Sequence, residues 1–165
     1  MTIHPVYEEK ISSHKTTVLF IALTIFFFML SAWRWMTRSL DTLACALLCF
    51  SVLFLFYSLN YRTLVIQIFP TFLKLRFGLF AWTESLENIE DCLPDELPML
   101  LRYGGAGIHF MNVAGRYRAN FNFLQYPRVV IRLRKKRGLV WDLSFSTRQP
   151  EEILRHIHLA SSAIP

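Results

Sequence analysis

Two uncharged apolar stretches decide the fold of this chain. Residues 18–33 read VLFIALTIFFFMLSAW and residues 43–59 read LACALLCFSVLFLFYSL, and neither contains Asp, Glu, Lys or Arg. Each stretch approaches the ~20 apolar residues that a helix needs to cross a hydrocarbon core about 30 Å thick. Helix is the expected state, because lipid cannot satisfy free backbone polar groups. We therefore predict a transmembrane helical hairpin over residues 16–60, closed by a short polar turn.

The ends of the two stretches fit a membrane interface. Trp33 and Trp35 follow the first stretch, and Tyr57 and Tyr61 end the second, as is typical of the aromatic belts of membrane proteins. One alternative is the buried core of a soluble protein, which the small remainder of the chain disfavours. The other is a cleaved signal peptide, which is disfavoured because no small-residue cleavage site follows and a second apolar stretch comes at once.

The distribution of positive charge predicts the orientation of the hairpin. Lys10 and Lys15 precede it and Arg62 follows it, whereas the turn holds only Arg34 and Arg38. Basic flanks favour the cytoplasmic side, so we expect a multi-pass protein of the cell (inner) membrane with both termini in the cytoplasm. The chain carries a net charge of +6, and residues 61–165 hold most of the excess, with 14 Lys and Arg against 9 Asp and Glu.

The remaining residues predict a short tail and a β module. Residues 1–15 are expected to form a cytoplasmic tail, with a surface helix from Val6 onward. Residues 61–165 are expected to form a mainly-β barrel or sandwich, starting with strands over 62–69, 72–77 and 80–83. Residues 84–96 are acidic. Prolines in and just after this segment favour a solvated loop. An intramolecular partner for the basic sheet and a docking site for a cationic protein are the alternatives.

Later strands alternate, and a helix ends the chain. In residues 117–123, the aromatic side chains share one face and Arg118, Asn120 and Asn122 share the other, which predicts a core face and a solvent face. Pro150 suits the first position of a helix. The apolar stripe of this terminal helix is expected to cover one end of the sheet.

About seven short strands and a C-terminal helix after a two-span hairpin resemble the bacterial pleckstrin-homology-like (PH-like) membrane proteins. Three stretches carry the resemblance, namely residues 86–90 (LENIE), 102–108 (RYGGAGI) and 146–154 (STRQPEEIL). The resemblance covers nearly the whole chain. It implies a non-enzymatic membrane-associated domain, in a family whose members mostly lack an assigned role.

A basic set near the last β-hairpin is the candidate site for lipid or partner binding. Its members are Arg128, Arg132, Arg134, Lys135, Lys136 and Arg137. Close to a bilayer, each basic residue contributes about 1 kcal/mol of attraction to anionic headgroups. A solvated hairpin face is the alternative. Lys74 and Arg76 offer a weaker phosphoinositide-like pattern on another strand.

Catalytic and metal-binding constellations are not apparent in the sequence. His156 and His158 lie two apart on a predicted helix, so their side chains diverge. Ser144 and Ser146 have no neighbouring His–acid pair. The aromatic residues of 117–123 face the predicted core, which disfavours a nucleic-acid platform. We expect no enzymatic activity, no cofactor, no metal and no nucleic-acid partner.

These observations predict a binding or scaffold protein that presents its module at the cytoplasmic membrane surface to a protein or to anionic lipid. The alternative is an accessory subunit of a larger membrane transport or envelope complex, for which the spans offer Thr24, Ser31 and Ser51 as polar contacts. Cys45 and Cys49 lie on one helix face. We expect that face to pack on the first helix, with a homo-oligomer seam as the alternative.

Overall fold

The computed structural model describes residues 4–38, 41–95, 107–123 and 125–162. This part of the chain consists of two long apolar helices, two β-sheets and a C-terminal helix, in agreement with the outline that the sequence predicts. In chain order, the elements are β1 (Tyr7–Ser12), α1 (His14–Arg38), α2 (Thr42–Asn60), β2 (Thr63–Ile68), β3 (Phe72–Phe77), β4 (Phe80–Ser85), a 3-10 turn (Leu86–Asn88), β5 (Ile89–Pro94), β6 (Gly107–Val113), β7 (Arg116–Asn122), β8 (Arg128–Arg137), β9 (Val140–Ser146) and α3 (Pro150–Ser162).

Helices α1 and α2 are long and apolar enough to cross a membrane. They contain 25 and 19 residues, and their most apolar windows have mean hydropathies of 2.1 and 2.2. At 1.5 Å per residue they are roughly 38 and 28 Å long. Only 17% of each window is buried. The core helix of a soluble protein would be mostly buried, so this low share argues against the soluble-core alternative.

Hydroxyl groups inside the hairpin bond to the hairpin's own backbone. Ser31 Oγ donates to the Ala44 carbonyl at 2.8 Å, and Ser51 Oγ donates to the Thr24 carbonyl at 3.0 Å. Thr24 Oγ1 donates to the Phe20 carbonyl at 2.8 Å. The three polar side chains that the sequence offers for contacts with another chain are therefore hydrogen-bonded within the hairpin.

The cysteines of α2 do not face α1, so the predicted packing of Cys45 and Cys49 against the first helix is wrong. Both are exposed, whereas Ala44, Ser51 and Ser58 are buried. The buried positions recur every seven residues, which places the packing face to one side of the two cysteines. A homo-oligomer seam on the exposed face stays a prediction.

The first sheet joins the chain before the hairpin to the chain after it. Its order is β1-β2-β3-β4, and β1 pairs antiparallel with β2 from Tyr7 opposite Ile68 to Ser12 opposite Thr63. The predicted surface helix from Val6 is therefore wrong. The helical hairpin brings the two ends together, and Ile11 is fully buried in the core.

The second sheet has the order β5-β8-β9-β7-β6, with β7 and β9 parallel. The predicted loop over residues 84–96 is wrong where β5 pairs with β8. Pro94 is the last residue of this edge strand, a position where a missing backbone N–H is tolerated. Strands β1 and β5 raise the number of strands in the described residues above the seven expected.

One apolar core lies between the two sheets and α3. Strand β3 alternates as predicted, with Leu73, Leu75 and Phe77 fully buried. Helix α3 begins at Pro150, contacts β5 and the 3-10 turn, and buries Ile153 in its apolar stripe. The predicted strands in residues 62–83 and the terminal helix are thereby confirmed.

The junction between helices and sheet, defined by Ser13, Asn60 and Tyr61, is short and aromatic. Ser13 alone separates β1 from α1, and two residues separate α2 from β2. The rings of Tyr57 and Tyr61 lie 5.2 Å apart, and that of Tyr61 lies 5.2 Å from Phe77 of β3. The helical hairpin and the β module therefore share one continuous core.

Candidate functional site

The exposed cations of the predicted set cluster where β8 turns into β9. We name this cluster the basic tip, and its members are Arg132, Arg134, Lys135, Lys136 and Arg137. All five are exposed. The turn follows at Gly138 and Leu139, because Gly138 adopts a left-handed φ of 61° and Arg137 pairs with Val140.

Arg128 does not belong to this cluster, so its place in the predicted site is wrong. It lies at the opposite end of the ten-residue strand β8 from Arg137, roughly 30 Å away at ~3.3 Å per residue. Only 6% of Arg128 is exposed, and its Nε lies 3.1 Å from Asp95 Oδ2. The strand turns this side chain onto a covered polar face of the second sheet.

Arg137 fastens the basic tip to the first sheet. Its guanidinium donates to the Thr83 carbonyl, lies 3.6 Å from Glu84 Oε2 and stands 4.8 Å from the Trp82 ring centroid. Glu84 is buried. Acidic residues of the predicted loop thus act as intramolecular partners of the basic strands. The sequence had favoured a solvated loop over this alternative.

A shallow groove of about 410 Å³ runs beside the basic tip and is lined by Ser85, Glu87, Asn88, Arg134 and Lys135. The Asn88 side chain fixes one wall, since its Nδ2 donates to the Lys135 carbonyl at 2.9 Å and its Oδ1 accepts from the Lys135 N–H at 2.8 Å. Two cationic side chains on a fixed backbone suit a carboxylate ligand, which a guanidinium can bind through two parallel hydrogen bonds.

The groove beside the basic tip lies one strand length from the junction. Strand β4 begins at Phe80, whose ring is 6.3 Å from that of Tyr61, and ends at Ser85 in the groove. Five residue steps of ~3.4 Å make this span roughly 17 Å. That length exceeds the Debye length of about 8 Å at physiological salt. Arg134 and Lys135, which line the groove, are therefore screened from charges at the level of the junction, whereas the Arg137 guanidinium lies nearer to the junction, beside Thr83.

A second polar cluster was missed because its residues were expected to face solvent. Arg118, Asn120 and Asn122 on β7 are buried, with Asn120 fully so. Asp142 stands opposite Arg118 in the parallel pairing of β7 with β9, and Ser144 stands opposite Asn120. Alternation correctly separated the two faces of β7 but could not tell that both are covered.

Ion pairs link this buried cluster across three strands. Arg118 lies 3.4 Å from both Asp95 and Asp142, Arg116 lies 2.8 Å from Asp142, and Arg128 pairs with Asp95. Buried charges persist in proteins when they are paired. The sequence does contain a signal for these ion pairs, because acidic residues flank a long stretch in which every charged residue is basic.

Hydrogen-bonding atoms also remain unpaired in this cluster. They are Asn120 Oδ1, Asn122 Oδ1, Ser144 Oγ and both ring nitrogens of His109. Burial, and then the charge of Arg128, lowers the pKa of His109. Unpaired buried polar atoms are uncommon in folded proteins, so this face is a polar interior held mainly by its ion pairs.

Other predicted features lie apart from both clusters. Within the described ranges, no three His, Cys, Asp or Glu side chains converge as metal ligands would. The His156 ring lies 5.1 Å from that of Tyr7, whereas His158 is exposed, so the two imidazoles diverge as expected. Lys74 and Arg76 lie on the outer face of β3, opposite the core residues.

No family model, curated protein or solved structure matches this chain. The resemblance to PH-like proteins therefore stays a prediction. Residues 86–88 form the 3-10 turn after β4, and α3 begins inside the stretch 146–154. Residues 102–106 of the glycine-rich stretch lie outside the described residues.

Proposed function

We propose that this protein is a membrane-anchored, non-enzymatic binding protein of the PH-like kind. Its hairpin crosses the cell membrane with both termini in the cytoplasm, and its basic tip binds an acidic segment of a protein partner. The observation that carries the proposal is the cluster of exposed cations beside a groove, at a fixed distance from two apolar helices.

The short junction supports a role in which position matters. One residue separates β1 from α1, and two residues separate α2 from β2. The Tyr61 ring packs both on Tyr57 of α2 and on Phe77 of β3. Because helices and sheet share a core, the module cannot swing freely, and a partner bound at the tip would be held at a set height above the bilayer.

The position of the basic tip favours a protein partner over the protein's own bilayer. Arg134 and Lys135, the cations of the groove, lie roughly 17 Å of strand from the junction, beyond the screening length at physiological salt. Headgroups at the level of the junction therefore attract these two cations only weakly. Anionic lipid remains the competing ligand, and the experiment below separates the two. The accessory-subunit alternative gains no support, because the hydroxyls of Thr24, Ser31 and Ser51 bond inside the hairpin.

The test uses full-length protein in nanodiscs of zwitterionic lipid and a fluorescent peptide rich in Glu and Asp. We expect the peptide to bind at low salt and to dissociate as salt rises. The triple variant Arg134→Gln, Lys135→Gln, Lys136→Gln should weaken binding roughly tenfold, at about 0.5 kcal/mol for each exposed pair. The control variant Lys74→Gln, Arg76→Gln also removes exposed-strand charge and should bind nearly as well as the parent.

Two results would overturn the proposal. One is equal loss of peptide binding in the triple variant and in the control, which would make the attraction a matter of net charge. The other is failure to bind the peptide together with tip-dependent capture of vesicles containing phosphatidylglycerol, which would make lipid the ligand.

A further inference from the structure

Two β-hairpin turns of this module have the same two residues and opposite surroundings. Gly78-Leu79 joins β3 to β4, and Gly138-Leu139 joins β8 to β9. Both glycines are left-handed, with φ of 57° and 61°. Both leucines project, with 82% of Leu79 and 74% of Leu139 exposed. The first turn is flanked by Phe77 and Phe80, whereas basic residues precede the second.

The Gly78-Leu79 turn is bound to the end of α2. The Leu79 N–H donates to Asn60 Oδ1 at 3.0 Å. A Cβ on Gly78 would lie 2.9 Å from Asn60 Cα and closer still to the Asn60 carbonyl oxygen. The Phe80 ring stacks 6.3 Å from that of Tyr61. The turn therefore lies at the level of the last turn of α2.

Exposed apolar side chains occur on both sides of the contact between the Gly78-Leu79 turn and α2. Leu59, in the last turn of α2, is 71% exposed, and Phe80 next to Leu79 is also exposed. Leu139 has no such neighbourhood, since a Cβ on Gly138 would meet nothing within 4 Å, and the basic tip precedes it. An apolar side chain at the level of the end of a membrane helix gains from contact with lipid.

We propose that Leu79 inserts into the headgroup–acyl boundary of the bilayer that the hairpin crosses, as a third attachment of the protein to lipid. This inference rests on the proposed function, which makes the hairpin a membrane anchor. Two helices and one turn define a plane, so the third attachment fixes the tilt of the module. It directs the basic tip away from the lipid surface and toward a partner in solution.

The experiment places an environment-sensitive NBD fluorophore on single cysteines in the full-length protein. Cys45 and Cys49 are replaced by serine, and the buried Cys92 is retained. Three added sites are compared in phosphatidylcholine vesicles that carry shallow or deep nitroxide lipids. They are Leu79→Cys, Leu139→Cys as the matched turn, and Val52→Cys on the exposed face of α2. A sample without an added cysteine gives the background of Cys92.

We expect the fluorophore at position 79 to emit at shorter wavelength than at position 139. Shallow nitroxide lipid should quench the fluorophore at position 79 several-fold more strongly than the fluorophore at position 139. Deep nitroxide lipid should quench position 52. If position 79 behaves like position 139 while position 52 is quenched, the third attachment is refuted and the membrane anchor stands. If position 52 is not quenched, the proposed function fails and this inference fails with it.

Discussion

The two glycine turns allow the contact between the module and the helices to be measured in isolation. Gly78→Ala and Gly138→Ala each force a Cβ into a left-handed backbone, at φ of 57° and 61°. That conformation costs an L-residue about 1–2 kcal/mol. The two variants share this cost, so it cancels in their difference.

What remains is the contact of Gly78 with the end of α2. At Gly138 a new Cβ meets nothing within 4 Å, whereas at Gly78 it meets the backbone of Asn60. Relief requires the turn to move away, which breaks the bond from the Leu79 N–H to Asn60 Oδ1. The lost hydrogen bond is worth about 1 kcal/mol, and overpacking adds about 1–3 kcal/mol. Gly78→Ala should therefore be about 2–4 kcal/mol more destabilising than Gly138→Ala.

Thermal unfolding of the full-length protein in nanodiscs, followed by near-ultraviolet circular dichroism, measures this difference. At roughly 2–4 °C per kcal/mol for a chain of this size, the midpoint of the Gly78→Ala variant should fall by roughly 5–15 °C more than that of the Gly138→Ala variant. Equal midpoints would show that the turn is not packed on α2.

Three further predictions concern groups away from the turns. Glu9→Ala removes the acceptor of the Thr147 hydroxyl at 2.6 Å and should lower the free energy of unfolding, measured by denaturant titration, by about 2 kcal/mol. The control variant Glu8→Ala, on the exposed side of β1, should lower it by less than about 0.5 kcal/mol. Burial and a nearby arginine lower the pKa of His109, so the unfolded chain binds the proton more readily. Stability should be full above the ordinary value of 6.5 and fall as the pH drops below it, and His109→Gln should flatten that fall in unfolding curves taken at several pH values. Burial raises the pKa of Cys92 to about 12, so a maleimide should leave this thiol unmodified in the folded protein and modify it after unfolding, once the two cysteines of α2 have been replaced by serine.

The helical hairpin and the central strands could be predicted because their signals are local. An uncharged apolar stretch indicates a long helix whatever surrounds it. Strand β3 alternates between Leu73, Lys74, Leu75 and Arg76, and one face is buried accordingly. Such patterns need only the neighbouring residues, and the structure agrees with them.

Strands β1 and β5 could not be predicted because partners distant in sequence create them. Residues 7–12 read YEEKIS and hold few apolar residues. They form a strand because the helical hairpin delivers them beside β2. Strand β5 likewise depends on β8, far along the chain. A short charged segment has little strand propensity of its own, so the pairing decides its conformation.

The candidate site was predicted as a group of residues that are close in sequence. The prediction was wrong for Arg128, the first residue of the group. Strand β8 is extended, so Arg128 lies roughly 30 Å from Arg137. The polar face of β7 was misassigned for a related reason. Alternation shows that Asn120 and Asn122 share a face, but whether that face is covered depends on the rest of the fold.

The membrane location of the hairpin is tested by a spin-label accessibility scan along α2 in reconstituted vesicles, with Cys45 and Cys49 replaced by serine. The exposed face includes Leu48, Val52 and Leu55. Labels there should be accessible to oxygen, which partitions into lipid, and inaccessible to a water-soluble nickel complex. Access of the nickel complex to these positions would contradict a membrane location. Protection from both reagents all around the helix would mean that protein covers it, and the hairpin would then be the interface of a larger complex.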